Sequence, residues 1–317
     1  MQDTKQMISA AASASFERDL PLRPFGIHHR LADNPLFELP RIIDLLRSMP
    51  RDQIEANSGK VEIGQDPDKT PLLDLEPEEI IRRIETAGAW MVLKRVESDS
   101  VYRKLLHDAV GTVARQKGYE SLQDAGFHDI RGFMFVSSPK STTPFHMDAE
   151  DNIFVQIHGE KFFTIFDNRD GSIASHEAIE RSVTHHRNLA FDPAFEAESV
   201  CYRLLPGDGV FVPYLWPHWV RTSDTYSVSL AITWKTREVI RNNNLLTCNS
   251  MLRRMGFPQP APGQYPALDR GKSGSLALAR ATVEPLRKLD AIRALLRRLA
   301  LGRNANYYLK TGTKRAA

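Results

Sequence analysis

Cysteine is scarce in this sequence. Only Cys201 and Cys248 occur in 317 residues, and they form no CxxC pair. That excludes a disulfide framework and a cysteine-built zinc cluster, and two isolated thiols suit a reducing compartment. Long apolar runs are also missing, since none approaches the roughly 20 residues that cross a bilayer. The opening segment MQDTKQMISAAASASFERDL has neither a basic start nor a long apolar stretch. It reads as a loose leader without a secretory signal, and the expected location is the cytoplasm. There is no internal repeat and no long low-complexity tract. No helix-turn-helix, RRM or zinc-finger pattern supplies a nucleic-acid-reading element.

What is present suffices for a sizeable core. Hydrophobic residues make up 42% and charged residues 26%, the balance of a globular chain of one or two domains. The net charge of +3 is unevenly spread. Residues 270–317 hold twelve Lys+Arg against Glu284 and Asp290, so the remainder is net acidic. The last apolar-periodic stretch, EPLRKLDAIRALLRRLALG, reads as an amphipathic helix with Leu289, Ile292, Leu296 and Leu299 on one face.

The first part of the chain reads as helices with a little strand. Asn34 to Pro50 has helical apolar spacing, LEPEEIIRRIETAG starts at Pro77 and stops before Gly88, and DSVYRKLLHDAVGTVARQKG is a third helix. AWMVLKRV reads as a strand. From about Arg131 the segments are short, aromatic and β-branched: RGFMFVSS, NIFVQIHGEKFFTIF, CYRLLPGDGVFVPY and YSVSLAITW. They predict a β-rich core closed as a double-layered antiparallel barrel or jelly roll. The expected organisation is an N-terminal helical and mixed region (1–125), a catalytic β core (126–240) and a C-terminal helical basic region (241–317).

Thr142 to Asp167 concentrates the chemistry. His146 and Asp148 are two apart, so on extended backbone both side chains leave the same face. His218, in LLPGDGVFVPYLWPHWV, is the best third ligand, at the end of another apolar strand. Two imidazoles and one carboxylate leave coordination positions open, the pattern of non-haem Fe(II) oxygenases. HGE at 158–160 reads as a tight hairpin. Alternation after it puts Lys161 on one face with Phe163 and Ile165, unusual for a solvated lysine but apt for receiving an anion inside a barrel. Thr143 can add a hydroxyl donor to that anion.

These residues resemble the JmjC-type, cupin-fold 2-oxoglutarate oxygenases, in particular the asparaginyl hydroxylase of hypoxia-inducible factor and its bacterial cupin-like relatives. The family's T-x-x-H-x-D, a following Asn, and Gly and Lys on the next strand are matched by Thr143, His146, Asp148, Asn152, Gly159 and Lys161. The distal histidine is matched by His218. The resemblance implies a double-stranded β-helix core with Fe(II) at His146, Asp148 and His218. It implies 2-oxoglutarate held by Lys161 and Thr143, with Asn152 beside the cosubstrate. The implied reaction hydroxylates an aliphatic C–H with release of succinate and CO2. One departure is Ala231, where the family often has asparagine. The alternative is a non-catalytic cupin-like protein that binds a metal or ligand and regulates a partner.

The remaining polar residues read more plainly. His158 is exposed beside a turn, His185 and His186 are loop residues, His28 and His29 are structural, and Asp208 is a turn residue. Glu150 and Asp151 read as solvated loop acids. Arg221 is the fallback anion-binding group, and Trp216 and Trp219 wall or pack around His218. The substrate is left open between a protein side chain, a small metabolite and a lipid-linked sugar. The basic tail reads as a solvated helix on the core, a homodimer contact like the one the resemblance implies, or a peripheral contact with an anionic membrane or nucleic acid surface.

Overall fold

Two antiparallel sheets face one another across the molecule. The computed structural model describes residues 7–11, 15–66, 69–71, 73, 75–185 and 188–283. The strands are β1 (Ile8–Ala10), β2 (Phe25–His29), β3 (Ile54–Ser58), β4 (Ala89–Lys94), β5 (His128–Ser137), β6 (Thr142–His146), β7 (Asp151–His158), β8 (Lys161–Phe166), β9 (Ser199–Leu204), β10 (Asp208–Val212), β11 (His218–Thr222) and β12 (Ser227–Lys235). The major sheet runs β1-β2-β10-β7-β12-β5-β4-β3 and the minor sheet β6-β11-β8-β9. With helices α1 (Ser15–Arg18), α2 (Leu39–Ser48), α3 (Pro77–Arg82), α4 (Ser100–Gln116), α5 (His176–His185), α6 (Arg237–Arg254) and α7 (Pro266–Val283) around them, this is the expected mainly β jelly roll.

Strand alternation builds three apolar layers. On β7 and β12, Ile153, Val155, Val228, Leu230 and Ile232 point away from the minor sheet and join one core with Ile42, Ile80, Tyr102 and Val110 of α2, α3 and α4. Each such side chain, fully buried, contributes about 1.5–3 kcal/mol. Between the sheets a smaller cluster holds Phe154, Phe163, Ile165, Val210 and Val220. A third layer, with Phe145, Phe166 and Trp219, lies on the outer face of the minor sheet. The inward positions of β12 are Ser227, Ser229, Ala231 and Thr233, and these small residues leave space between the sheets.

Helix ends follow their capping residues. Pro77 occupies the first turn of α3. Asp99 caps α4 by accepting from Val101 and Tyr102 N–H, and Thr236 caps α6 by accepting from Val239 N–H; such caps are worth about 1 kcal/mol each.

Four sequence expectations are corrected. The described part of the leader is not loose: Ile8 pairs with His29, and Ile8, Phe16 and Leu20 are buried. The HGE segment is not a hairpin, because β7 belongs to the major sheet and β8 to the minor one. Gly159 (φ +71°) turns the corner between them, and a Cβ there would lie 2.1 Å from the Tyr226 carbonyl oxygen. His218 does not end the strand of GVFVPY, which is β10 of the major sheet; it opens β11 of the minor sheet. The connection before Cys201 carries α5, so His185 ends a helix. His186 and the tail helix from Glu284 lie outside the described residues. Residues 7–125 contribute β1 to β4 to the same sheet as the core strands.

Candidate metal centre

His146 closes β6 and His218 opens β11; the two residues are cross-strand partners. That pairing brings two histidines, 72 positions apart in sequence, side by side, with ring centroids 4.2 Å apart. Asp148, on the loop after β6, completes the cluster: its Oδ1 is 4.0 Å from His146 Nε2 and its Oδ2 3.7 Å from His218 Nε2. One ligand atom from each of the three lies within 4.8 Å of the others.

Backbone contacts set the tautomers. His146 Nδ1–H donates to the Pro144 carbonyl (2.7 Å) and His218 Nδ1–H to the Trp216 carbonyl (2.9 Å). A carbonyl only accepts, so the proton sits on Nδ1 and the Nε2 lone pairs turn toward Asp148. Burial, with His146 alongside, holds His218 well below the usual histidine range and therefore neutral. Two imidazoles and a carboxylate, with one side open to a cavity, fit a divalent first-row ion that keeps free coordination positions.

The loop carrying Asp148 and the loop leading into His218 are tied to each other and to α6. Leu215 N–H donates to the Asp148 carbonyl (3.0 Å), with Leu215 in the left-handed region (φ +61°). Tyr214 N–H donates to Asp151 Oδ1 (3.1 Å). Asn243 of α6 accepts from the Tyr214 hydroxyl (2.8 Å) and donates to the Ala149 carbonyl (2.8 Å). Asp151 is thus not a solvated loop acid. It is 1% exposed, and burial, reinforced by Glu150 and Glu238, pushes its carboxyl up to about 7. Glu150 is partly buried and paired with Lys235 (3.1 Å).

A cavity of about 490 Å³ opens beside the cluster, and Lys161, Thr143, Asn152 and Ala231 line it with the three candidate ligands. Lys161 is 1% exposed. It has no hydrogen bond or ion pair among the described residues, and its ammonium lies over the rings of Phe154 (5.4 Å) and Phe135 (5.6 Å). Burial alone pulls it from 10.5 to about 7. Thr143 accepts a hydrogen bond from Trp90 Nε1–H (2.7 Å). An indole N–H can only donate, so the threonine proton is left free to donate into the cavity. Asn152 is buried, its Nδ2 is 3.4 Å from Asp148 Oδ2, and its Oδ1 has no partner among the described residues.

Other candidates fall away. Arg221 is exposed, with its guanidinium over Phe162 outside the barrel. His158 is exposed and stacked on Tyr226. His29 is buried, its Nε2 2.9 Å from the Gln156 carbonyl. Sequence reasoning missed Trp90, Asp151, Tyr214 and Asn243. The first two had a signal: Trp90 shares a strand face with Val92 and Lys94, and Asp151 one with Ile153 and Val155.

A family model described as a cupin-like domain matches residues 74–238. The JmjC domain-containing protein A of Dictyostelium discoideum is 30% identical over 124 residues, 34% of this chain and 47% of that protein. The human tRNA wybutosine-synthesizing protein 5 is 33% identical over 103 residues, 32% of each chain. The chain therefore spans about half or less of the length of the curated relatives it matches. Among solved structures, Escherichia coli ycfD aligns with a TM-score of 0.48 at 14% identity, covering 93% of this chain and 73% of that one. A YcfD ribosomal oxygenase structure with cobalt and 2-oxoglutarate aligns at 0.46 and 14% identity, covering 86% and 67%. Among the described residues, no helix is long and apolar enough to cross a membrane.

Proposed function

Because this chain belongs to the cupin-like domain family, we propose that it is an Fe(II)- and 2-oxoglutarate-dependent oxygenase, and more finely a hydroxylase of an aliphatic C–H that releases succinate and CO2. The observation that carries the reading is Lys161. A fully buried amine without an acidic partner among the described residues is costly, yet it faces the same cavity as the histidine–aspartate cluster. A dianion taken from solution supplies the missing charge. His146, Asp148 and His218 would hold the iron, and Lys161 and Thr143 the distal carboxylate of 2-oxoglutarate, with Asn152 beside the cosubstrate. Together, iron and 2-oxoglutarate supply dioxygen activation, chemistry that side chains do not offer. The chain's own residues bind, orient and exclude water: the two carbonyl-tethered histidines keep Nε2 inward, and Phe135, Phe154 and Phe163 keep the lysine dry.

Anaerobic titration tests this. Wild-type protein with Fe(II) should develop a weak visible charge-transfer band on adding 2-oxoglutarate, and His146→Ala should not. Admission of oxygen should then yield succinate. A wild type that gives neither band nor oxygen-dependent succinate sinks the reading and favours the non-catalytic alternative. For the basic C-terminal segment we propose homodimerisation; sedimentation with and without residues 284–317 checks it, and an unchanged mass refutes it.

A further inference from the structure

The minor sheet and the loop after β6 supply His146, Asp148, His218, Lys161 and Thr143 to one side of the cavity. The opposite wall is the inner face of β12, β5, β4 and β3, where the proposed chemistry uses Trp90 and Phe135 but no charged residue. Its register places charge along a diagonal. Thr233 lies opposite Arg131, Phe133 opposite Lys94, and Val92 opposite Glu55, so Arg131, Lys94 and Glu55 step one strand and two residues at a time. All three line the cavity that holds the cluster.

These side chains are held as a built surface. Glu55 is 7% exposed; its Oε2 is 2.6 Å from Lys94 Nζ and its Oε1 accepts from Asn57 Nδ2 (2.9 Å). Arg131 spends only its Nε, on Asp129 (2.9 Å), and its terminal nitrogens make no hydrogen bond among the described residues. Thr233 is 2% exposed and its hydroxyl has no partner among the described residues. The half-buried rings of Phe133 and Phe135 lie along the same wall. Lys94 is paired with Glu55, Arg131 shares Asp129 with Lys235, and Lys235 is also paired with Glu150, so these cations are matched and give no surplus charge to draw a polyanion. The wall instead presents a carboxylate and an ammonium with heads 2.6 Å apart, the spacing of the two opposite charges that an α-amino acid carries on one carbon.

We propose that this wall is the substrate subsite and that it takes a free α-amino acid, with the ammonium on Glu55, the carboxylate on Lys94 and Arg131, and the side chain directed past Phe133 to the metal cluster. The proposal rests on the oxygenase reading above for its chemistry, but its binding can be measured separately.

The experiment is a panel of free amino acids, each beside its N-acetyl amide, added to the Fe(II)-loaded full chain with 2-oxoglutarate. At least one free amino acid should raise succinate formation about tenfold, and its capped form should not. Glu55→Gln and Arg131→Gln should each raise the KM for that amino acid about tenfold or more, while melting cooperatively and still forming the Fe(II)–2-oxoglutarate band. Calorimetric titration with the same panel provides the second arm. If 2-oxoglutarate does not bind at all, the oxygenase reading falls, and weaker binding of the amino acid by Glu55→Gln than by wild type still supports the subsite. The subsite is overturned if no free amino acid either binds or stimulates turnover. It is equally overturned if capped forms work as well, which would point to a peptide segment, or if both variants match the wild type.

Discussion

Replacing Lys161 by methionine separates what the lysine does for a ligand from what it costs the fold. Methionine keeps roughly the length and volume and removes the charge. Burial lowers the lysine from 10.5 to about 7, and at 1.36 kcal/mol per pH unit this corresponds to about 5 kcal/mol against the folded state at pH 7 and below. Between about pH 7 and 10.5 the unfolded chain holds more protons than the folded one, so wild-type stability rises with pH across that window. The advantage of Lys161→Met is therefore largest at pH 7 and below and vanishes above about pH 10.5. With an unfolding entropy of about 2.1 cal/mol/K per residue, 1 kcal/mol is worth roughly 1.5 °C in this chain, which sets the gain in Tm at up to about 7 °C. The same variant should lose 2-oxoglutarate binding. The assay is thermal melting of the Fe(II)-loaded protein from pH 6 to 10, with and without 2-oxoglutarate. With Fe(II) present throughout, 2-oxoglutarate should raise the Tm of the wild type and leave that of the variant unchanged. In the wild type, affinity should weaken by up to about tenfold per pH unit above 7, with close to one proton taken up per ligand at pH 8. A variant that melts lower than wild type at pH 7, or that still binds 2-oxoglutarate tightly, refutes the reasoning.

Asp151→Asn should be more stable than wild type at pH 8 and nearly equal at pH 4. The buried carboxyl is raised from 3.8 to about 7, so the folded state holds the extra proton in that window and wild-type stability falls as pH rises through it; urea unfolding at the two pH values decides. Asn243→Ala removes both contacts to the ligand-bearing loops. It should weaken Co(II) affinity by about tenfold, with Asn243→Asp recovering the Tyr214 contact and part of the affinity; equal titration curves for the alanine variant and wild type would exclude this. Gly159→Ala forces both a left-handed alanine and a 2.1 Å approach to the Tyr226 carbonyl. It should destabilise by about 3 kcal/mol or more, read as a lower denaturation midpoint, and a shift under 1 kcal/mol would show that the corner relaxes freely.

Much of the site was legible because two-residue periodicity tells which face a side chain takes. Lys161 with Phe163 and Ile165 follows from that rule alone, whereas Asp148 lies on the loop just beyond β6 and meets His146 there. Periodicity does not tell which sheet a strand joins. Gly159 has a left-handed conformation that serves a hairpin and a corner equally, so β7 and β8 looked like neighbours when they belong to opposite sheets. Asp151 was misread because its position next to Asp148 suggested a loop, although its parity with Ile153 and Val155 already placed it on the apolar face. Asn243 could not be read at all. Its role depends on α6 lying over two loops, and its helix has nearly uniform polarity, with Asn243, Asn244 and Asn249 among its buried residues. β1 is three residues long and gives no periodic signal of its own.

The pairing of β2 with β10 sets an order of events on the ribosome. His28 lies opposite Asp208, so Phe25–His29 must wait for some 180 further residues before its partner exists. At about 5–20 residues per second, that interval is of the order of 10–40 s. His146 and Asp148 likewise precede His218 in synthesis. During this time β2 has an unpaired edge on the side that will meet β10, and the candidate centre lacks its most deeply buried imidazole. Helices α2 to α4 can form early from local contacts, whereas the barrel closes late. The nascent chain is thus expected to depend on chaperone protection most strongly before residue 212 emerges, and a metal-competent cluster can arise only after β11 has left the tunnel.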